Sequence, residues 1–247
     1  MTPTAAEQII IFHKCIVDPI YFIENYVHVY NPLKGTILFE LYDFQKEMLV
    51  NYQQNRHNIV MSPRHTGKTD VTWAFLLWVS IFNTYKTTLI VSDKHDSAKE
   101  IIDRIRKSFD LLPDWMKPDL MESNKMCVTF DNGSRIISHA TTAAAARGLA
   151  LSYLYWDNMA FVKPTIQQDF WTSVYPCLAT GGSAILTSSP NGTSELFHKT
   201  WNEAEDGTNN FFSKRVHWGE MPGYTTTLKG GLSEKTWRQE YECEFIT

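Results

Sequence analysis

The segment Ser62-Pro63-Arg64-His65-Thr66-Gly67-Lys68-Thr69 carries the residue types that grip a polyphosphate. In the pattern G-x-x-x-x-G-K-[ST], backbone N–H groups cradle phosphates, the lysine reaches the β and γ phosphates, and the hydroxyl holds magnesium. Ser62 stands at the first glycine position, and Gly67-Lys68-Thr69 is intact. A G-K-T at a helix start is common by chance, so the flanks decide. His57 to Ser62 reads as a short buried strand and Gly67 to Thr84 as a long apolar helix, the setting a phosphate loop requires. Further on, Leu151-Ser152-Tyr153-Leu154-Tyr155-Trp156-Asp157 ends a buried strand on an aspartate, placed to bind magnesium beside Thr69. On its own Asp157 would read as a cap or turn residue; with the loop present the magnesium reading is favoured. The expected ligands are ATP and Mg2+.

These residues need a frame. Residues 5 to 29 have apolar positions at helical spacing broken at Asp18-Pro19, which predicts two short helices, and Asp43 to Gln53 predicts another. Beyond the loop helix come a strand at Thr87 to Ser92 and an amphipathic helix at Ser97 to Leu112, stopped by Pro113. Met126 to His139, with the turn Asp131-Asn132-Gly133, predicts a two-stranded hairpin insertion. Strands follow at Ser152 to Trp156 and Ala184 to Ser188, with helices near Ile166 to Cys177 and Ser194 to Glu205. Strands alternating with helices imply an α/β fold with a mainly parallel sheet flanked by helices. The expected organisation is one domain: a helical leader over 1–56 and a P-loop core with a helical end over 57–247. No internal repeat is found.

Composition sets outer bounds. The chain has 247 residues, 43% of them hydrophobic and 13% aromatic, enough for a sizeable packed core. A formal net charge of -4 gives no general attraction to nucleic acid or anionic membrane, so any DNA contact is local. Cys15, Cys127, Cys177 and Cys243 form no C-x-x-C pair and read as reduced core thiols. No signal peptide is evident and no window approaches a membrane span of about 20 apolar residues, which predicts an intracellular protein with no membrane partner.

The motifs together resemble the large terminase subunit of tailed phages, in the T4-like branch. The arginine-bearing loop Pro63-Arg64-His65-Thr66-Gly67-Lys68-Thr69 is joined by Leu41-Tyr42-Asp43-Phe44-Gln45, Leu111-Leu112-Pro113-Asp114-Trp115, Asp131-Asn132-Gly133-Ser134-Arg135-Ile136 and Ala146-Arg147-Gly148. Ala160-Phe161, Ser189-Pro190-Asn191-Gly192 and Gln239-Glu240-Tyr241-Glu242-Cys243-Glu244-Phe245 complete the series in family order. The resemblance implies a P-loop NTPase of the RecA-like ASCE kind. It implies that Gln45 reads the adenine edge with Phe44 near the ring. Arg64 pairs with the γ phosphate, and Arg147 is the finger offered to a neighbouring subunit. Ser189, in the segment after the strand at Ala184 to Thr187, lies among short hydroxyls that bond the attacking water or the phosphate and so report the nucleotide state. His65, Thr66, Gly67, Lys68 and Thr69 hold the nucleotide, and Thr69 and Asp157 the metal. Each has a plainer alternative: Gln45 an exposed helix residue, Arg64 a surface arginine, Arg147 a structural loop residue, Ser189 part of a Pro-Asn-Gly turn.

By the same resemblance the protein is an ATP-driven packaging motor in the host cytoplasm. Double-stranded DNA passes through transiently, the portal protein and small terminase subunit are partners, and the chain forms a homo-oligomeric ring. The acidic balance suits a motor that does not grip DNA tightly. Two departures qualify this. Asn158 stands where the family carries the glutamate that activates water. An amide orients water but accepts no proton, and losing a general base costs about 10²- to 10⁴-fold. Hydrolysis is expected to be impaired with binding retained; the competing explanation is another base, with Glu203, Glu205 or a residue brought in by a partner as candidates. The chain also stops at Ile246-Thr247, before the family's nuclease domain, so no DNA cleavage is expected. A catalytically silent nucleotide-binding module is the alternative that Asn158 raises. A helicase-like ATPase ranks below it, because such enzymes usually pair two motor domains and 247 residues hold one.

Overall fold

The computed structural model describes residues 3–193, 196–222, 229 and 231–246. The chain opens with α1 (Ala5–Val17) and α2 (Pro19–Tyr26), broken where Pro19 cannot donate a helical hydrogen bond. The Asp18 carboxylate caps α2 by accepting from the N–H groups of Ile20 and Tyr21. A short antiparallel ribbon, β1 (His28–Asn31) and β2 (Gly35–Leu38), precedes α3 (Asp43–Gln54). Then come β3 (His57–Met61), α4 (Lys68–Phe82), β4 (Thr87–Ser92), α5 (His95–Asp110), β5 (Leu120–Ser123), β6 (Cys127–Phe130) and β7 (Arg135–Ala140). The chain continues with β8 (Tyr153–Asp157), α6 (Pro164–Val174), β9 (Ser183–Ser188), α7 (Leu196–Glu205), β10 (Phe211–Arg215) and α8 (Glu234–Glu240). The expected start of α7 at Ser194 lies outside the described residues.

One eight-stranded sheet has the order β10-β3-β9-β8-β4-β7-β6-β5. The pairs from β10 across to β7 are parallel; β6 and β5 complete it antiparallel. The expected hairpin is therefore present as β6–β7, and its second strand joins the main sheet beside β4. At its turn the Asn132 amide donates to the carbonyls of Ser80, Ile81 and Asn83, closing the end of α4.

The central strands are apolar throughout because both faces are covered. Alternate residues enter different clusters: Val60, Ile90, Tyr155 and Ile185 pack with the helices on the α4 side. Ile59, Met61, Leu89, Leu154, Trp156 and Leu186 pack on the α6–α7 side. The leader belongs to the first of these, with Cys15, Phe22, Ile23, Phe44 and Met48 in the same cluster as Trp73, Phe75 and Leu76 of α4. Among the described residues no helix is long and apolar enough to cross a membrane.

Candidate functional site

β3 runs into Ser62, whose N–H donates to the Ser188 carbonyl at 3.1 Å, so the loop leaves the sheet still tied to the end of β9. Two left-handed residues shape it, His65 (φ 58°) and Gly67 (φ 73°). Gly67 is needed twice over, since a Cβ there would also lie 2.7 Å from Gln45 Nε2. The buried Thr66 hydroxyl bonds Ser62 Oγ at 2.5 Å and the Pro63 carbonyl at 3.1 Å. Among the described residues, the N–H groups of His65, Thr66, Gly67, Lys68 and Thr69 meet no protein acceptor. Orphan donors at the start of α4, together with the left-handed turns, make a concave anion-binding nest.

Asp157 is the last residue of β8 and shares the parity of Tyr153 and Tyr155, so it faces the α4 side. Its Oδ1 accepts from Thr69 Oγ1 (3.1 Å), the Tyr155 hydroxyl (2.7 Å) and Thr187 Oγ1 (3.1 Å). Thr187 is its register partner on β9. Burial raises the Asp157 carboxyl above its ordinary range, opposed by Lys68 and by the three hydroxyls. Burial likewise lowers the Lys68 ammonium, with Asp157 opposing. Tyr155 is raised well above its ordinary value, by burial and then by the Asp157 charge. In such a setting, added phosphate or cation charge interacts strongly.

Asn158 follows at φ 52°, a left-handed position that asparagine tolerates better than most side chains. Its amide donates to Asp157 Oδ2 at 3.2 Å, and it caps the 3-10 turn Met159–Phe161. That turn is stitched to the end of β9 and the segment after it: Ala160 N–H donates to Ser188 Oγ, and Asn191 Nδ2 to the Ala160 carbonyl.

The structure thus brings Arg64, His65, Thr66, Gly67, Lys68, Thr69, Asp157, Asn158 and Ser189 to one end of the sheet. Arg64 is half-exposed, lies 5.4 Å from the Phe161 ring centroid, and donates Nε to Glu240 Oε2 at 2.7 Å. Ser189 Oγ donates to the same oxygen at 3.1 Å. Glu240, Tyr155 and Thr187 are polar residues at this site to which sequence reasoning gave no role; the signal for Glu240 was membership of the Gln239–Phe245 motif. Gln45 is buried, with Nε2 on the Thr66 carbonyl (3.0 Å) and Oε1 taking the Tyr42 N–H (3.0 Å). Phe44 is also buried and stacks on Tyr42, a residue that is itself 37% exposed. Arg147 is exposed in the connection from β7 to β8, where the preceding Ala146 carbonyl accepts from Cys177 Sγ, and is not gathered to the loop. Glu203 lines a cavity of about 310 Å³ with His57, the first residue of β3, at the opposite end of that strand from the loop. Glu205 is exposed at the end of α7. Neither carboxylate stands at the candidate site.

A phosphate nest after β3, an aspartate ending the strand two places away, and a mostly parallel sheet covered by helices define the P-loop NTPase fold. Residues 59–247 match the family described as terminase large subunit, T4likevirus-type, N-terminal, and the chain belongs to that family. Among solved structures, the Thermus phage P74-26 large terminase ATPase domain is 15% identical with a TM-score of 0.66, covering 84% of this chain and 95% of that one. The HK97 bacteriophage large terminase is 15% identical with a TM-score of 0.70, covering 94% of this chain and 49% of that one. The large terminase of a thermophilic bacteriophage in complex with ATP-gamma-S is 10% identical with a TM-score of 0.65, covering 84% and 53%. At these identities the likeness is one of fold. The chain spans about half the length of the latter two proteins.

Proposed function

We propose that this chain binds ATP with magnesium and serves as the motor domain of a phage DNA-packaging terminase. The observation that carries the reading is the buried Lys68 and the Thr69–Asp157 pair beneath a loop of unpaired N–H groups. The loop N–H groups and Lys68 hold the β and γ phosphates. Hydroxyl and carboxylate are hard oxygen donors 3.1 Å apart, which fits magnesium with waters and phosphate oxygens as its other ligands. When bound, that ion neutralises charge shared by the β and γ phosphates. Gln45 sets the loop from inside by accepting from the Tyr42 N–H, and the partly exposed Tyr42 is an aromatic residue beside it that a base can meet. Arg64 and Ser189 face the γ phosphate. Arg147, exposed on another part of the surface, is offered to a second copy of the chain in a ring that works with portal protein, small subunit and double-stranded DNA in the host cytoplasm. Calorimetric titration with ATP-gamma-S and magnesium should show saturable binding that Lys68→Ala weakens by about tenfold or more; equal affinity in the variant would refute the site.

A second reading concerns turnover. Asn158 can orient water but takes no proton, and its amide is engaged with Asp157. Nucleotide is therefore bound and hydrolysed slowly. Steady-state phosphate release should rise about 10²-fold or more in Asn158→Glu, with a melting curve alongside because glutamate is disfavoured at that left-handed position. Equal rates in a folded variant would show that Asn158 does not limit hydrolysis.

A further inference from the structure

Glu240 lies 176 residues from Arg64 in the chain, yet α8 ends against the phosphate loop. Three bonds dock it there. The Arg64 N–H donates to the Glu240 carbonyl at 3.3 Å, Arg64 Nε to Glu240 Oε2 at 2.7 Å, and Ser189 Oγ to the same oxygen at 3.1 Å. The carboxylate is 13% exposed, so its charge is poorly hydrated and depends on these donors. α8 itself is anchored by Trp237, which is buried, edge-on to Trp218 and stacked on Tyr241.

Arg64 and Ser189 are the two donors assigned above to the γ phosphate, and both are occupied by one internal anion. On that assignment a diphosphate lacks the group that would take them, and a triphosphate must take them from Glu240 and bring its own negative charge beside that carboxylate. We infer that Glu240 is a specificity-determining residue, a built-in competitor for Arg64 and Ser189 that sets how far the site prefers a nucleoside triphosphate to a diphosphate. This rests on the nucleotide site proposed above. It acts through Arg64 and Ser189 and touches no nucleotide itself. Replacing the carboxylate by an amide leaves a weaker acceptor of similar shape, so the donors pass more readily to the γ phosphate.

The test is the ratio of ADP to ATP-gamma-S dissociation constants, measured with magnesium on the whole chain. Glu240→Gln should raise the ratio about fivefold, the upper range for a half-exposed ion pair. Arg64→Ala should lower it, and Glu240→Gln added to Arg64→Ala should retain only the part that Ser189 carries. A merely structural role would move both affinities together and leave the ratio fixed, and that result overturns the inference. Should the amide variant melt early, Glu240→Asp, which draws the carboxylate back by one methylene, should still raise the ratio; no rise in a folded aspartate variant overturns it equally. Failure of wild-type protein to bind either nucleotide would instead sink the phosphate-site reading beneath it.

Discussion

Cys243 lies three residues beyond Glu240, fully buried, and burial pushes its thiol up to about 12 against the opposing charges of Lys68 and Arg215. Cys15 is pushed up to about 12 as well, by burial and then by Asp18. At pH 8 only about one thiol in 10⁴ with such a value is ionised, so neither reacts while the fold is intact. Cys127 and Cys177 are half-buried. A thiol-disulfide reagent at pH 8 should therefore modify these two first, with Cys15 and Cys243 reacting only on denaturation; prompt modification of all four would contradict the packing around α8. At this same scale the reading of Lys68, Thr69 and Asp157 from type and spacing leads to side chains that meet. The inward turn of Gln45 is different. Its amide bonds to a carbonyl 21 residues away, and no local pattern distinguishes such a partner from an adenine edge.

At the scale of elements, packing between connections decides more than propensity does. A Cβ on the buried Gly182, just before β9, would lie 2.2 Å from the Leu151 carbonyl oxygen and 2.9 Å from Leu178 Cδ2. Both the strand that ends in Asp157 and its neighbour start from this close approach. Gly182→Ala should lower stability by about 1–3 kcal/mol through overpacking, read as a shift in the urea midpoint; an unshifted midpoint would mean the connection yields freely. The inner strands β3, β4, β8 and β9 are legible in sequence because two-sided burial makes them apolar runs. β1, β2, β5 and β10 are not. They have four or five residues, and β5 is exposed at every position, so they carry neither an apolar run nor a clean alternation. The docking of α8 on the loop is equally silent in sequence, since it joins residues across almost three-quarters of the chain.

For the molecule as a whole, the leader and the phosphate-loop helix share one core. Trp78 of α4 donates its indole N–H to the Cys15 carbonyl at 2.7 Å, and Phe22 meets Phe82 edge-on at 5.1 Å. Removing residues 1–27 would bare that side of α4, whose apolar residues have no polar stripe to present to water. The truncated chain should lose its cooperative thermal transition and aggregate, by circular dichroism and light scattering. A truncated chain that melts sharply at the parent temperature would show the leader to be an appendage. The parity of β8 has a last consequence, for the kinds of genetic change the protein can absorb. Point substitutions along Tyr153–Asp157 alter one face at a time, but a single inserted or deleted codon would exchange the faces. Trp156 would turn toward the phosphate loop and Asp157 into the apolar layer around Phe170. A change of length in this strand thus disturbs both faces at once, where a change of residue type disturbs one, whereas the exposed edge at Leu120–Ser123 imposes no such reading frame.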